Sequence, residues 1–504
     1  MRHLKTTADH RNRTGVSLFA GVKTVMLALA LAALAAPAGF AAVTDGGIAT
    51  AVETRLTRDD AVQAQKIDVS VQDGVVTLGG RVDYLDAAQR AVRVAMTVKG
   101  VRSVVDRIET VPTERADQDI RLDIRQALRL DPVADADAVE VDVDEGQVFL
   151  TGRVDSWQER KLTGEAVKGV RGVREVVNRL EVTLAPERPD REMANEIEAR
   201  LAWDAWVEAS SIEVGVSDGA VALSGTVGSL AEKHRAAQDA WIAGVRAVDD
   251  TELLVDWERH RARSQPRPQR KVSDRDLTQA VKAALRYDAR IEDAGSIAVQ
   301  AANGIVTLQG LVDRLSASRA AREDAENTYG VWRVRNFIKV RPSVSADYRP
   351  LPDRDTRLAE QVRLALLLAP ALRQHKISVS VNNGVALLEG RVMTKAARER
   401  AADAAAGIRG VVRVVNRLEV VTDRPAAPRE DWQLRQDIVS ELAWSPFVDA
   451  DDIHVAVEDG VAVLTGVVDD LRARRTATAN ARDGGAIHVR NHLKVRNGPD
   501  FLQP

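Results

Sequence analysis

The residues able to do chemistry are bounded first by an absence: the 504-residue chain contains no cysteine. That removes disulfides, thiolate nucleophiles, Cys-ligated zinc and iron–sulfur clusters, and leaves any catalysis to His, Ser, Lys or carboxylates. His488 and His492 have the i, i+4 spacing of zinc ligands on a helix. They fall on a predicted strand after a helix stop, with no third ligand nearby in sequence, so no metal and no cofactor is expected. No G-x-S-x-G elbow, Walker loop or H-E-x-x-H helix occurs. Carboxylates are plentiful, and a hydrolase working with two of them is the catalytic alternative. Its signature would be a concave pocket with converging Asp or Glu side chains of shifted pKa. Eight tryptophans offer another chemistry: an apolar body with one polar edge suits a lipid interface or a protein partner.

What must position these groups is a repeat. A turn glycine recurs at Gly74, Gly146, Gly219, Gly304, Gly384 and Gly460, and six residues after each stands a second glycine, Gly80, Gly152, Gly225, Gly310, Gly390 and Gly466. Five residues before the turn glycine there is always a valine, and four after it always a leucine, from Leu78 to Leu464. In the first unit, Ile67 to Val71 alternates apolar and polar residues, Asp73-Gly74 is a two-residue hairpin turn, and Val76, Leu78 and Val82 resume the alternation. The register predicted is Val71 opposite Val76, Val69 opposite Leu78 and Ile67 opposite Gly80. The second glycine then lies on the inward face, where it is expected to admit a helix backbone. The turn residue before the first glycine varies among Asp73, Glu145, Asp218, Asn303, Asn383 and Asp459, which marks a conformational demand rather than a catalytic one.

Upstream of each hairpin an apolar stripe such as Ile48, Val52, Leu56 predicts a short amphipathic helix. Downstream, a second helix is predicted to start at a capping Asp83, to bury Leu85, Ala88, Val92 and Ala95, and to stop at Gly100. Lys168 to Gly172 superficially matches a G-x-x-G nucleic-acid clamp, but it aligns with this plain helix stop. A last strand follows, giving α-β-β-α-β in every unit. The third unit carries one extra residue within Val248 to Leu253.

The pattern of helix, V-x-V-x-D/N-G-x-V-x-L-x-G-x-V, helix, G-V-x-x-V-x-N-x-L-x-V resembles the BON domain, a small module of bacterial osmotic-stress and nodulation-related proteins. The resemblance spans six units, at residues 44–113, 117–185, 190–256, 274–341, 355–422 and 431–496. It implies an α+β fold, each domain a three-stranded mixed sheet with two helices on one face. It also implies a non-enzymatic module tied to envelope stress and to phospholipid or other envelope components. No catalytic residue carries over, because the pattern consists of core and turn positions.

Internal alignment sorts the tryptophans. Trp157 takes the place of Leu85 and is expected in the core, while Trp203 and Trp444 end the first helix of their units. Trp332 stands where sister units have Arg102, Arg174 and Arg246, and is expected to be an exposed contact; Trp206, Trp241, Trp257 and Trp432 are weaker candidates of the same kind. Packing between docked repeats is the alternative for all five.

Residues 1–42 hold five basic residues, an apolar run from Val25 to Ala36 and small residues beyond it, the order of a cleavable signal peptide. An uncleaved inner-membrane anchor is the alternative. Removing this leader makes the remainder more acidic than the full-length net charge of −3, which argues against nucleic acid as a partner. Residues 257–273 are rich in basic residues and contain two prolines, and are predicted to be a hinge between two three-unit halves. The expected function is a periplasmic osmotic-stress protein without enzymatic activity. Its repeats would bind phospholipid membrane or envelope components, weakly per unit and more strongly through multivalency. A protein-interaction or chaperone-like scaffold is the alternative partner reading.

Overall fold

The computed structural model describes residues 43–59, 62, 66–183, 188–263, 272–341, 351–369, 372, 375–421 and 430–496. The predicted signal peptide and most of the later connectors lie outside them.

Unit one shows how the sequence builds each module. Helix α1 (Asp45–Arg58) starts where the Thr44 hydroxyl accepts the Gly47 N–H, and it buries Ile48, Val52 and Leu56 as the stripe predicts. Strands β1 (Ile67–Gln72) and β2 (Val75–Val82) pair antiparallel in the predicted register, Val71 with Val76, Val69 with Leu78 and Ile67 with Gly80. The turn takes φ of 51° at Asp73 and 73° at Gly74, the left-handed geometry that Asp-Gly supplies at low cost. Helix α2 (Leu85–Met96) departs from expectation at its start. Its cap is Tyr84, without a side-chain bond, rather than Asp83. Its buried face is Ala87, Ala88, Ala91 and Ala95, so small side chains let it lie close on the sheet, while Leu85 points across to the core of unit two. Strand β3 (Ser103–Thr110) runs parallel to β2 and completes a mixed sheet in the order β1-β2-β3.

The same α-β-β-α-β order recurs in all six units. The extra residue of unit three splits its last strand into Ala247–Asp249 and Leu253–Val255. Unit two shows a split that the sequence pattern does not reveal, between Glu175–Asn178 and Glu181–Val182. The first seven residues of the predicted hinge, Trp257–Arg263, are helical, and residues 264–271 lie outside the described residues.

The second glycine has a different reason from the one expected. A Cβ on Gly80 would collide with the carbonyl oxygen of Lys66, at the foot of the partner strand, and not with a helix; Gly152 meets Ala138 and Gly466 meets Asp452 in the same way. With φ of 107° at Gly80, the backbone itself also favours glycine.

A second recurrent device pins the hairpin to the first helix. Both turn amides, Asp73 N–H and Gly74 N–H, donate to the Asp45 carboxylate at 2.8 and 2.9 Å. Asp117, Asp190, Asp274, Asp355 and Asp431 do the same for their own turns. One carboxylate at a helix start thus satisfies two amides that the hairpin leaves open.

Between units, contacts run mainly through helices and helix ends, and the sheets turn their uncovered faces outward. The contacts repeat when three is added to the unit number. Tyr329 N–H of unit four donates to Trp203 of unit three at 2.8 Å, and the equivalent Lys99 N–H of unit one donates to Trp444 of unit six at 2.9 Å. Arg319 of unit four pairs with Asp403 of unit five, at the positions where Gln89 of unit one meets Glu165 of unit two. The first helices of units two (Asp117–Leu130) and five (Leu351–Leu368) pack on each other. Units one to three are therefore related to units four to six by an approximate two-fold.

Candidate functional site

The tryptophans expected to be exposed are mostly spent on joining units. Trp332 lies over Gly304 and packs against the core of unit six. Trp241 packs against Trp157 with centroids 4.2 Å apart and ring planes tilted by 45°, and Trp157 Nε1 donates to Val245 O at 2.9 Å, so Trp157 is an interface residue rather than a core one. Trp206 meets Phe447 of unit six and donates through Nε1 to Asn327 of unit four. Lys99 Nζ of unit one stands 4.5 Å over the Trp257 ring. These four are half-buried because a neighbouring unit covers a place that one isolated unit would leave open. Trp432 alone of the five stays exposed, at 61%.

A cavity of about 2260 Å³ lies where units two, three and four meet, with Arg409 of unit five at its wall. Two aspartate pairs at equivalent repeat positions line it. Asp204 and Asp288 end the first helices of units three and four, and Asp239 and Asp324 lie on the second helices. Asp239 is 8% exposed, and burial, with the neighbouring Asp204 charge, pushes its carboxyl up to about 7. Burial and Asp288 raise Asp324 well above the ordinary carboxyl range. Oδ2 of Asp239 and of Asp324 lack a donor, so a proton held between the paired carboxyls is the partner that fits. Burial also lowers Lys161 and His234 in the same wall.

The helix-end members of these pairs already have structural work. Asp204 accepts the Trp206 N–H at 2.7 Å and the Arg235 Nε–H at 2.5 Å; Asp288 accepts the Arg290 N–H at 2.8 Å and its guanidinium. Asp59 and Asp131 sit at the same helix end in units one and two, the former with Arg90 at 2.7 Å and the latter capping Val133 and Ala134. The cavity thus holds two carboxyls raised by burial, Asp239 and Asp324, each beside the aspartate of a recurrent helix cap.

The outward sheet faces differ sharply from unit to unit. In unit two, Glu140, Asp142, Asp144, Glu175 and Glu181 outnumber Arg153 and Arg179, and Arg179 lies 5.4 Å over the Phe149 ring. In unit four the strand Arg333–Val340 turns Arg333, Arg335, Phe337 and Lys339 outward. Its neighbour Ile305–Val312 adds Thr307, Gln309 and Leu311, and Ile297–Ala302 adds Ala298, Gln300 and Ala302. This face has three cations, no carboxylate, and two bare apolar side chains, Phe337 at 59% and Leu311 at 45% exposure. The twofold alternation of the last strand was the signal for it in the sequence. His488 and His492 lie on the outward face of unit six, on the strand His488–Val495.

Residues 44–112, 116–183, 189–256, 273–342, 354–422 and 430–497 match the model of the BON domain. Over 143 residues the chain is 32% identical to osmotically-inducible protein Y of Escherichia coli, covering 27% of this chain and 71% of that protein. It is 27% identical over 150 residues to the 21 kDa hemolysin of Actinobacillus pleuropneumoniae, covering 30% and 75%. With the outer membrane lipoprotein DolP of Haemophilus influenzae it shares 29% identity over 144 residues, covering 29% and 72%.

Proposed function

Because the chain belongs to the BON domain family, whose members named above include an osmotically-inducible protein and an outer membrane lipoprotein, we propose a non-enzymatic role at the bacterial envelope. In this reading the protein is exported to the periplasm and docks on anionic phospholipid through its outward sheet faces, with unit four as the main contact. Among the described residues no helix is long and apolar enough to cross a membrane. The carrying observation is the unit-four face, where Arg333, Arg335 and Lys339 surround exposed Phe337 and Leu311 without a carboxylate among them. Each basic residue held near an anionic surface contributes about 1 kcal/mol, and an exposed aromatic ring suits the headgroup level. Unit five adds less, because Arg391 and Arg417 face Glu419 and Glu389 at 3.7 and 3.6 Å.

The test is co-sedimentation of the full chain with vesicles of phosphatidylglycerol and phosphatidylcholine against phosphatidylcholine alone. Binding to the anionic vesicles that weakens with salt, and falls in an Arg335→Glu, Phe337→Ser variant, supports the reading. No binding at low salt overturns it.

The cavity favours a second reading, a carboxylate-dependent hydrolase, because Asp239 holds its proton to about pH 7 as a general acid must. Turnover of an envelope glycan or ester that Asp239→Asn abolishes, with the fold intact, would establish it. Turnover unchanged in that variant, or absent, removes it.

A further inference from the structure

Unit three meets unit four, and unit six meets unit one, through the same backbone contact: Tyr329 N–H to Trp203 O in the first case and Lys99 N–H to Trp444 O in the second. The side chains around that contact differ. Where unit six meets unit one, Glu441 is 4% exposed and holds two cations of unit one: Arg55 Nε donates to Oε2 at 2.9 Å, and Arg58 donates to Oε1 at 2.5 Å. Arg58 also pairs with Asp437 at 3.0 Å, and Arg55 reaches Thr97 O at 2.6 Å. Asn480 Nδ2 lies 3.5 Å from Glu441 O and completes the set.

Where unit three meets unit four, the repeat offset puts Arg200 in the place of Glu441 and Asp239 in the place of Asn480. Ala284 and Tyr287 take the places of Arg55 and Arg58. Arg200 lies 4.9 Å over the Tyr287 ring and 3.7 Å from Asp239, while Glu196, the counterpart of Asp437, faces the Tyr287 hydroxyl. The four positions differ as a set. One junction is Glu with two Arg and Asn, and the other is Arg with Ala, Tyr and Asp.

We propose that these positions are an address, by which the surface of unit one accepts a C-terminal half of the chain and excludes a like half from a second copy. Two N-terminal halves meeting through the same geometry would set Arg200 of unit three against Arg55 and Arg58. Two C-terminal halves would bury Glu441 of unit six against Ala284 and Tyr287, with no cation to meet it. Either error strands a buried charge, and loss of one partner of such a pair weakens a contact by roughly a hundred-fold or more. The repulsive element is thus built into both halves. It acts whatever the outward sheet faces bind.

The experiment reproduces both errors inside the full chain. Glu441→Arg gives unit six the residue of unit three, and Arg55→Ala, Arg58→Tyr gives unit one those of unit four. The full swap combines these with Asn480→Asp. The readout is hydrogen exchange at the Lys99 amide, which is donated across the junction, with the Tyr329 amide at the other junction as reference. Each half swap is expected to speed Lys99 by about ten-fold or more with Tyr329 unchanged, and the full swap to return Lys99 to within about three-fold of wild type. If a half swap does not fold, recovery of the fold in the full swap supports the proposal equally. A full swap as fast, or as unfolded, as the half swaps overturns it, because the residues then do not act as a matched set. No change in the half swaps also overturns it, by leaving the junction to its apolar contacts.

Discussion

Trp206 of unit three and Phe447 of unit six occupy the same repeat position, and their rings meet edge to face with centroids 5.1 Å apart. Two equivalent residues in contact mark the approximate two-fold between the halves. Edge-to-face pairs contribute about 0.5–1.5 kcal/mol beyond their area. Trp206→Ala and Phe447→Ala are each expected to destabilise the chain, and the double variant to lose less than their sum by about that amount. A double-mutant cycle in denaturant unfolding measures it; strict additivity would show the rings uncoupled.

The carboxylate that holds each hairpin turn predicts a local weakness. Asp117→Ala removes both acceptors from the amides of Glu145 and Gly146. Hydrogen bonds to a charged group contribute about 1.5–3 kcal/mol, so unit two is expected to lose roughly that much. Faster hydrogen exchange at the turn of unit two, with the turn of unit four unchanged, is the readout.

Asp239 makes stability depend on pH. Its folded carboxyl holds a proton up to about pH 7, whereas an unfolded aspartate ionises near pH 3.9. Between those values the folded chain binds the extra proton, so this contribution is full below about pH 3.9, declines as pH rises to 7, and is gone above it. Asp239→Asn is therefore expected to melt higher than the wild type at pH 8, with the margin closing towards pH 4. Melting curves across that range check it, and a margin that grows on acidification would contradict the pairing with Asp204.

Leu388 is fully buried in the sheet of unit five. Leu388→Ala is expected to cost about 2–5 kcal/mol, from lost burial and the cavity left behind. A change below 1 kcal/mol in chemical unfolding would mean the inward face of that hairpin is misassigned.

The module itself was legible because its signals are local. Asp73-Gly74 sets the hairpin register within a few residues, and Ile48, Val52 and Leu56 show their helix by spacing alone. Asp45 was missed although it recurs, because its partner is a turn 28 and 29 residues away and its role is polar rather than apolar. Gly80 was placed on the correct face but given the wrong neighbour, since strand backbone and not helix fills the space above it. The fate of Trp332 and Trp241 depends on where other units dock, and a pattern repeated within each unit carries no record of that. For the same reason nothing within a single unit marks Asp239 and Asp324 off from the other acids of its second helix.

The approximate two-fold is the relationship that two separate three-unit chains would adopt in a symmetric dimer. Here one polypeptide supplies both partners, so the encounter between halves is intramolecular, at an effective concentration set by the connector. The assembly and its cavity are therefore insensitive to dilution, and one molecule alone in a large volume presents the same six faces as a concentrated solution does.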